Sequence, residues 1–184
     1  GGPLPSVEAL ANWLLNVLDA AGVARSALVG HSMGSLIALE AAAHAPDRVT
    51  TLVMVGTAVP MKVSDALLTT ARDNPMTAID MVNVFSHSGI AAKPSFPGPG
   101  MWLHGSNRAL MRRMQDGVHD RNLFEHDFRL CDAYANGLAA AAKVGCPVHC
   151  VLGDRAPMTR PEGARELVAA RLAAALPHAD VARW

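Results

Sequence analysis

The chain is 184 residues long, with 51% hydrophobic and 17% charged residues; that is apolar surface for one sizeable core, which excludes a disordered tail and a disulfide-stapled mini-protein. Sixteen Lys and Arg balance sixteen Asp and Glu without a run of one sign, so there is no electrostatic footprint for nucleic acid or an anionic membrane, and a small neutral molecule is the expected partner. Cys131, Cys146 and Cys150 form an odd and sparse set, expected as free thiols in a reducing compartment and hence in the cytoplasm, and no apolar run approaches the roughly 20 residues that cross a bilayer.

The sequence opens Gly1-Gly2-Pro3 without a Met and stops on what reads as a strand at Trp184, so a chain cut at both ends is expected and a targeting signal cannot be judged. Pro5 and Ser6 precede Val7, Leu10, Leu14, Val17, Leu18 and Ala21 on one face, closing at Gly22; the pattern is a capped amphipathic helix whose apolar face needs a sheet to cover. Residues 27–30 form a short apolar strand, and a turn around Ser32 leads into a helix over 35–45 that Pro46 stops. Residues 51–55, apolar and β-branched, fit a strand buried on both faces of a parallel sheet. From Ala58 to about Asn136 the spacing predicts helices near 64–73, 76–87 and 106–116, interrupted by the breaker-rich stretch 93–100, as in a helical insertion. Alternation then resumes with a helix up to Lys143, a strand over 148–152, a helix over 161–175 and a strand over 179–183. Such alternation predicts an α/β fold with a parallel sheet covered on both faces.

Gly30-His31-Ser32-Met33-Gly34 fits Gly-x-Ser-x-Gly directly between an apolar strand and a helix. A nucleophile on such a turn sits in a strained backbone conformation, so small residues two positions before and after it let the chain pass close to itself; Gly30 and Gly34 supply them. The Ser32 hydroxyl then projects from the carboxyl end of a strand, where ligands bind in open α/β folds. The helix N-terminus favours a developing oxyanion, with the Met33 N–H as one donor of the hole. A flexible Gly/Ser loop is the bland alternative. Against it stand Gly34, Ala38, Ala41, Ala42 and Ala45, small positions that close helix–sheet packing requires and a loop does not.

Residues 27–35, Ala-Leu-Val-Gly-His-Ser-Met-Gly-Ser, followed by Pro46-Asp-Arg-Val49 and the strand up to Gly56, resemble serine hydrolases of the α/β-hydrolase fold. The resemblance runs over essentially the whole chain, through the stretch from Pro147 to Gly153 and Met158-Thr-Arg-Pro161. It implies a parallel-sheet core in two parts, residues 1–57 and 137–184, with an inserted helical cap over 58–136. It also implies a catalytic acid in the loop after the strand that follows the cap. The family's position for that acid is Ala156 here; Asp154, directly after Gly153, is the remaining candidate, with a solvated turn residue beside Arg155 as its alternative. Residues 56–64, where some relatives carry the acid, hold no carboxylate. The family's histidine follows the last strand, and the chain stops on that strand. The general base, the early strands and the first oxyanion donor are therefore expected in sequence outside these 184 residues, which by themselves are expected to be inactive and to expose a strand edge.

Among the eight histidines, His31 lies within the elbow, His44 near a helix end, His149 in a strand and His178 before the last strand. His87, His104, His119 and His126 read as surface or packing residues of the insertion. Cys146 and Cys150 have no matching pair and read as core residues, so no metal and no cofactor is expected. Met76, Ile79, Met81, Phe85, Met101, Trp102, Met111 and Met114 are mostly helix packing, but a methionine-rich surface also suits the apolar portion of a small substrate. Arg108, Arg112 and Arg113 read as a solvated helix face rather than a carboxylate site. The expected chemistry is acyl transfer through Ser32 on an ester, thioester, lactone or related carbonyl substrate. Two alternatives stand beside it: a non-catalytic hydrolase-like fragment with a binding cleft only, favoured by Ala156, and a carbon–carbon bond hydrolase or acyltransferase of the same fold. Oligomeric state and substrate identity stay open.

Overall fold

A computed structural model of the protein describes residues 2–87, 103–119, 121–173 and 179–183. The breaker-rich stretch 93–100, Met101, Trp102, His178, Trp184 and the end of the helix expected over 161–175 lie outside the described residues. The chain divides into two compact units, one comprising Gly1–Met61, Ala133–Asp154 and Thr159–Trp184, the other Lys62–Asp132 and Arg155–Met158.

Among the described residues the first unit is built on four parallel strands in chain order, β1 (Ser26–His31), β2 (Val49–Val55), β3 (Val148–Leu152) and β4 (Ala179–Arg183). Parallel neighbours require crossover connections. The helices of this unit are α1 (Val7–Ala20), α2 (Met33–His44), α7 (Gly137–Lys143) and α8 (Arg165–Ala173). Ser6 caps α1 by accepting from Ala9 N at 3.2 Å, and Gly22, at φ +68°, reverses the chain after it. α1 packs on α2 rather than on the sheet, contrary to the expected sheet-covering role, and leaves Trp13 and Val17 exposed.

The register sorts the sheet into two unequal faces. Leu28, Leu52 and Val148 lie in line on one face, as do Gly30, Met54 and Cys150, and all six are buried, against α2 on the β1 and β2 side. On the other face Val29 is 72% exposed and its partners Val53 and His149 are half-buried. Across β1, β2 and β3 the sheet is thus covered on one face, not two, and β2 is not buried on both sides as its composition suggests. Among the described residues β1 and β4 are the two edges of the sheet; the sequence led to an exposed strand edge without saying which strand.

α2 has apolar residues on every side, with Leu36, Ala38, Leu39, Ala41 and Ala42 buried between β1, β2, α1 and α7. Its one carboxylate, Glu40, is also buried. Glu40 Oε1 accepts from Tyr134 Oη and Asn136 Nδ2, both at 2.7 Å, and Oε2 lies 3.8 Å from His44 Nδ1. A buried charge is tolerated only with such partners, and these tie α2 to the segment leading into α7. Burial, the hydrogen bond to Glu40 and its negative charge all push the Tyr134 phenol above its ordinary range.

The second unit contains α3 (Asp65–Asp73), α4 (Pro75–Phe85), α5 (Leu103–Asp116) and most of α6 (Leu123–Ala133). Ser64 caps α3 through Leu67 N, and Asn74 caps α4 through Thr77 N, with Pro75 in the first turn where its missing N–H costs nothing. Ala71, Ala78, Ile79 and Asn83 are buried where these helices meet. α6 has no counterpart among the expected elements, although Asn122 is a cap signal: its Oδ1 accepts from Glu125 N at 3.0 Å. No described helix is long and apolar enough to cross a membrane.

Candidate active site

β1 ends at His31 and α2 begins at Met33, so Ser32 alone makes the turn from strand to helix. Its backbone has φ 51° and ψ −123°, and it is the one non-glycine residue with positive φ among those described. A side chain held there is strained, and the strain persists because the surroundings determine it. Ser32 N donates to Val55 O at 3.0 Å, carrying the β1–β2 ladder one bond into the turn, and Gly56 N donates to Val151 O at 2.9 Å beside it. Gly30 is required: a Cβ there would lie 2.2 Å from Gly34 O and 2.6 Å from Ser35 Cα. Gly34 is not required on the same ground, since a Cβ there would meet nothing within 4 Å. The tight passage is made by the backbone of Gly34 over the α-carbon of Gly30, which leaves the outer side of Gly34 open.

As the cap residue of α2, Ser32 makes no side-chain capping bond, so its hydroxyl is not used up by the helix. Among the described residues its partner is Met61 Sδ at 3.9 Å, a thioether that accepts weakly and cannot act as a base. The Ser32 carbonyl accepts from Ser35 N at 2.9 Å and from Ser35 Oγ at 2.6 Å, and Ser35 Oγ is joined to Thr57 Oγ1 at 2.8 Å. Met33 is the first residue of α2, so its N–H is one of the four at a helix start that lack an intrahelical acceptor. Around Gly56, a Cβ position would lie 3.3 Å from Thr159 Oγ1 and 3.4 Å from His31 Nε2, which places both side chains at the carboxyl end of β2.

Asp154 stands exposed two residues past the end of β3. With β2 between β1 and β3, Asp154 and Ser32 leave the same end of the sheet two strand spacings apart, about 10 Å. Asp154 makes no hydrogen bond or ion pair within the described residues, and no described histidine bonds to Ser32 Oγ. His31 is exposed, His44 is beside Glu40, and His149 is half-buried in β3. His87 and His104 face one another in the second unit with ring centroids 5.4 Å apart, and Ala156 belongs to that unit. Cys131, Cys146 and Cys150 are buried and form no disulfide, and burial pushes the Cys131 thiol up to about 12. Among the described residues no three His, Cys, Asp or Glu side chains are grouped to hold a metal ion. Gly30, His31, Ser32, Met33 and Gly34 thus lie on the β1–α2 turn, and Asp154 lies in the segment after β3 at the same end of the sheet. Ser35, Thr57 and Met61 are neighbours of the elbow that the motif does not flag; for Ser35 the one signal is a hydroxyl in a helix that is apolar apart from it, Glu40 and His44.

A serine on a one-residue turn between a parallel strand and a helix is the arrangement of a nucleophile elbow in an α/β hydrolase core. The chain belongs to the alpha/beta hydrolase fold family, whose family model matches residues 4–97. Over 57 residues it is 49% identical to "Putative carbamate hydrolase RutD" of Klebsiella pneumoniae (strain 342), a match covering 29% of this chain and about a fifth, 21%, of that protein. Among solved structures it is similar to a thermophilic esterase, with TM-score 0.76 and 18% identity over 99% of this chain and 65% of that one. It is also similar to Est816, described as an N-acyl homoserine lactone degrading enzyme, with TM-score 0.73 and 18% identity over 100% of this chain and 69% of that one. These likenesses in structure concern the fold.

Proposed function

We propose that the protein contributes Ser32 as the nucleophile of a hydrolase acting on an ester, thioester, lactone or related carbonyl substrate, carbamates included, with the Met33 N–H as one oxyanion donor. The observation that carries this is the positive φ of Ser32 at the β1–α2 turn. A non-glycine residue pays for that conformation only where the surroundings impose it, and here they free its hydroxyl from capping. The similarity to RutD supports a small carbonyl substrate. Residues 58–136 would serve as a cap in the whole protein, their methionine and aromatic side chains selecting an apolar portion of the substrate. Asp154 is the candidate acid. Three buried cysteines without a disulfide favour a reducing compartment, and we assign the protein to the cytoplasm.

A fluorophosphonate probe should label the full-length protein and fail on its Ser32→Ala variant; equal labelling of the two would end the nucleophile assignment. Asp154→Asn should lower the labelling rate while the fold is retained, and an unchanged rate would remove Asp154 from the site. A binding-only role is the second reading, and Ala156 at the family's acid position favours it. It predicts substrate-analogue binding without labelling.

A further inference from the structure

We propose that Ser35 and Thr57 are positioning residues that fix the Ser32–Met33 peptide so that the Met33 N–H faces the reacting carbonyl oxygen, a role that rests on Ser32 being the nucleophile. Ser35 lies in the first turn of α2 with no exposed surface, and Thr57, two residues past the end of β2, is equally buried. The 2.6 Å contact from Ser35 Oγ to the Ser32 carbonyl needs a proton, and a carbonyl has none to give. The single hydroxyl proton of Ser35 therefore lies on that bond. Ser35 Oγ is left to accept, at 2.8 Å, from the Thr57 hydroxyl. The order of donation runs Thr57, Ser35, Ser32 carbonyl, and each link polarises the next.

In a trans peptide the C=O of one residue and the N–H of the next point in opposite directions. Holding the Ser32 carbonyl toward the body of α2 thus aims the Met33 N–H out of the helix N-terminus, where a developing oxyanion is favoured. The same bonds draw electron density toward the carbonyl oxygen and make that N–H a stronger donor. A strained residue at φ 51° needs such restraint, since rotating the peptide is the direct way to relieve the strain. Thr57 anchors the restraint to the chain leaving the neighbouring strand, so the donor keeps its direction relative to the sheet.

Ser35→Ala and the near-isosteric Thr57→Val remove the two hydroxyls without altering Ser32, and Thr57→Ser keeps one in place. In the full chain, with unfolding curves checking that each variant is folded, both deletions should slow fluorophosphonate labelling of Ser32 about tenfold, a part of the ~10²–10³ lost with a whole oxyanion donor. Thr57→Ser should recover most of that rate. Labelling of folded Ser35→Ala and Thr57→Val at the wild-type rate overturns the proposal. A second readout needs no reactivity: crystal structures of the wild type and the variants should show the Ser32–Met33 peptide rotated in Ser35→Ala, and an unrotated peptide with the same Ser32 φ overturns it. If the wild type resists the probe, the nucleophile assignment fails, and the crystallographic comparison alone decides the fate of the Ser35–Thr57 tether.

Discussion

Ser32 and the two glycines of its motif make different demands on the backbone. Gly30 is compelled by contact with the Gly34 carbonyl, so Gly30→Ala should cost about 3 kcal/mol or more and abolish labelling of Ser32. Gly34 faces open space inside a helix, where alanine is the better residue. Gly34→Ala should raise stability by about 0.5 kcal/mol in a urea titration. Similar losses from the two substitutions would show that the motif constrains both positions. The elbow was legible as a pattern, because Gly-x-Ser-x-Gly between a strand and a helix has few structural solutions. Which glycine bears the crowding was not legible, since that depends on where the Gly34 carbonyl passes. Cys131 is likewise a matter of surroundings: buried, with its thiol pushed up to about 12, it should stay unmodified by iodoacetamide until the protein is unfolded.

At the scale of elements, α2 is held by a polar anchor as well as by packing. Tyr134 and Asn136 both donate to Glu40 Oε1, and removing the phenol with Tyr134→Phe should cost about 1.5–3 kcal/mol, as expected for a bond to a charged group. The folded state holds the Tyr134 proton more tightly than the unfolded chain does, chiefly through burial and then through Glu40. The stability this contributes is complete below the unfolded value of about 10 and is lost as pH rises beyond it. Tyr134 is the one tyrosine in the sequence, so tyrosinate absorbance reports it alone. That absorbance should appear together with loss of far-UV circular dichroism; its appearance near pH 10 with the fold intact would contradict the burial. Glu40 stands at an apolar position of α2 in the sequence, but its partners lie about 95 residues away, and periodicity carries no information at that range.

For the whole molecule, the two sheet faces should respond differently to substitution. Leu52→Ala, on the buried face, should cost about 2–5 kcal/mol, whereas Val29→Thr on the open face should change stability by no more than about 0.5 kcal/mol. Urea midpoints measure both, and a large loss from Val29→Thr would mean that this face is covered in solution.

The sequence by itself determined the four strands, every described helix but α6, the parallel sheet and the strand–turn–helix at Ser32. Each rests on local period, turn chemistry or a short motif, all written in neighbouring residues. Only the tertiary structure decided that α1 lies on α2, that one sheet face is packed and the other open, that Gly30 rather than Gly34 is crowded, and that Ser35, Thr57 and Met61 surround the serine. Those facts come from contacts between residues far apart in the chain, and such contacts are set by how elements fill space against one another, which no local pattern encodes.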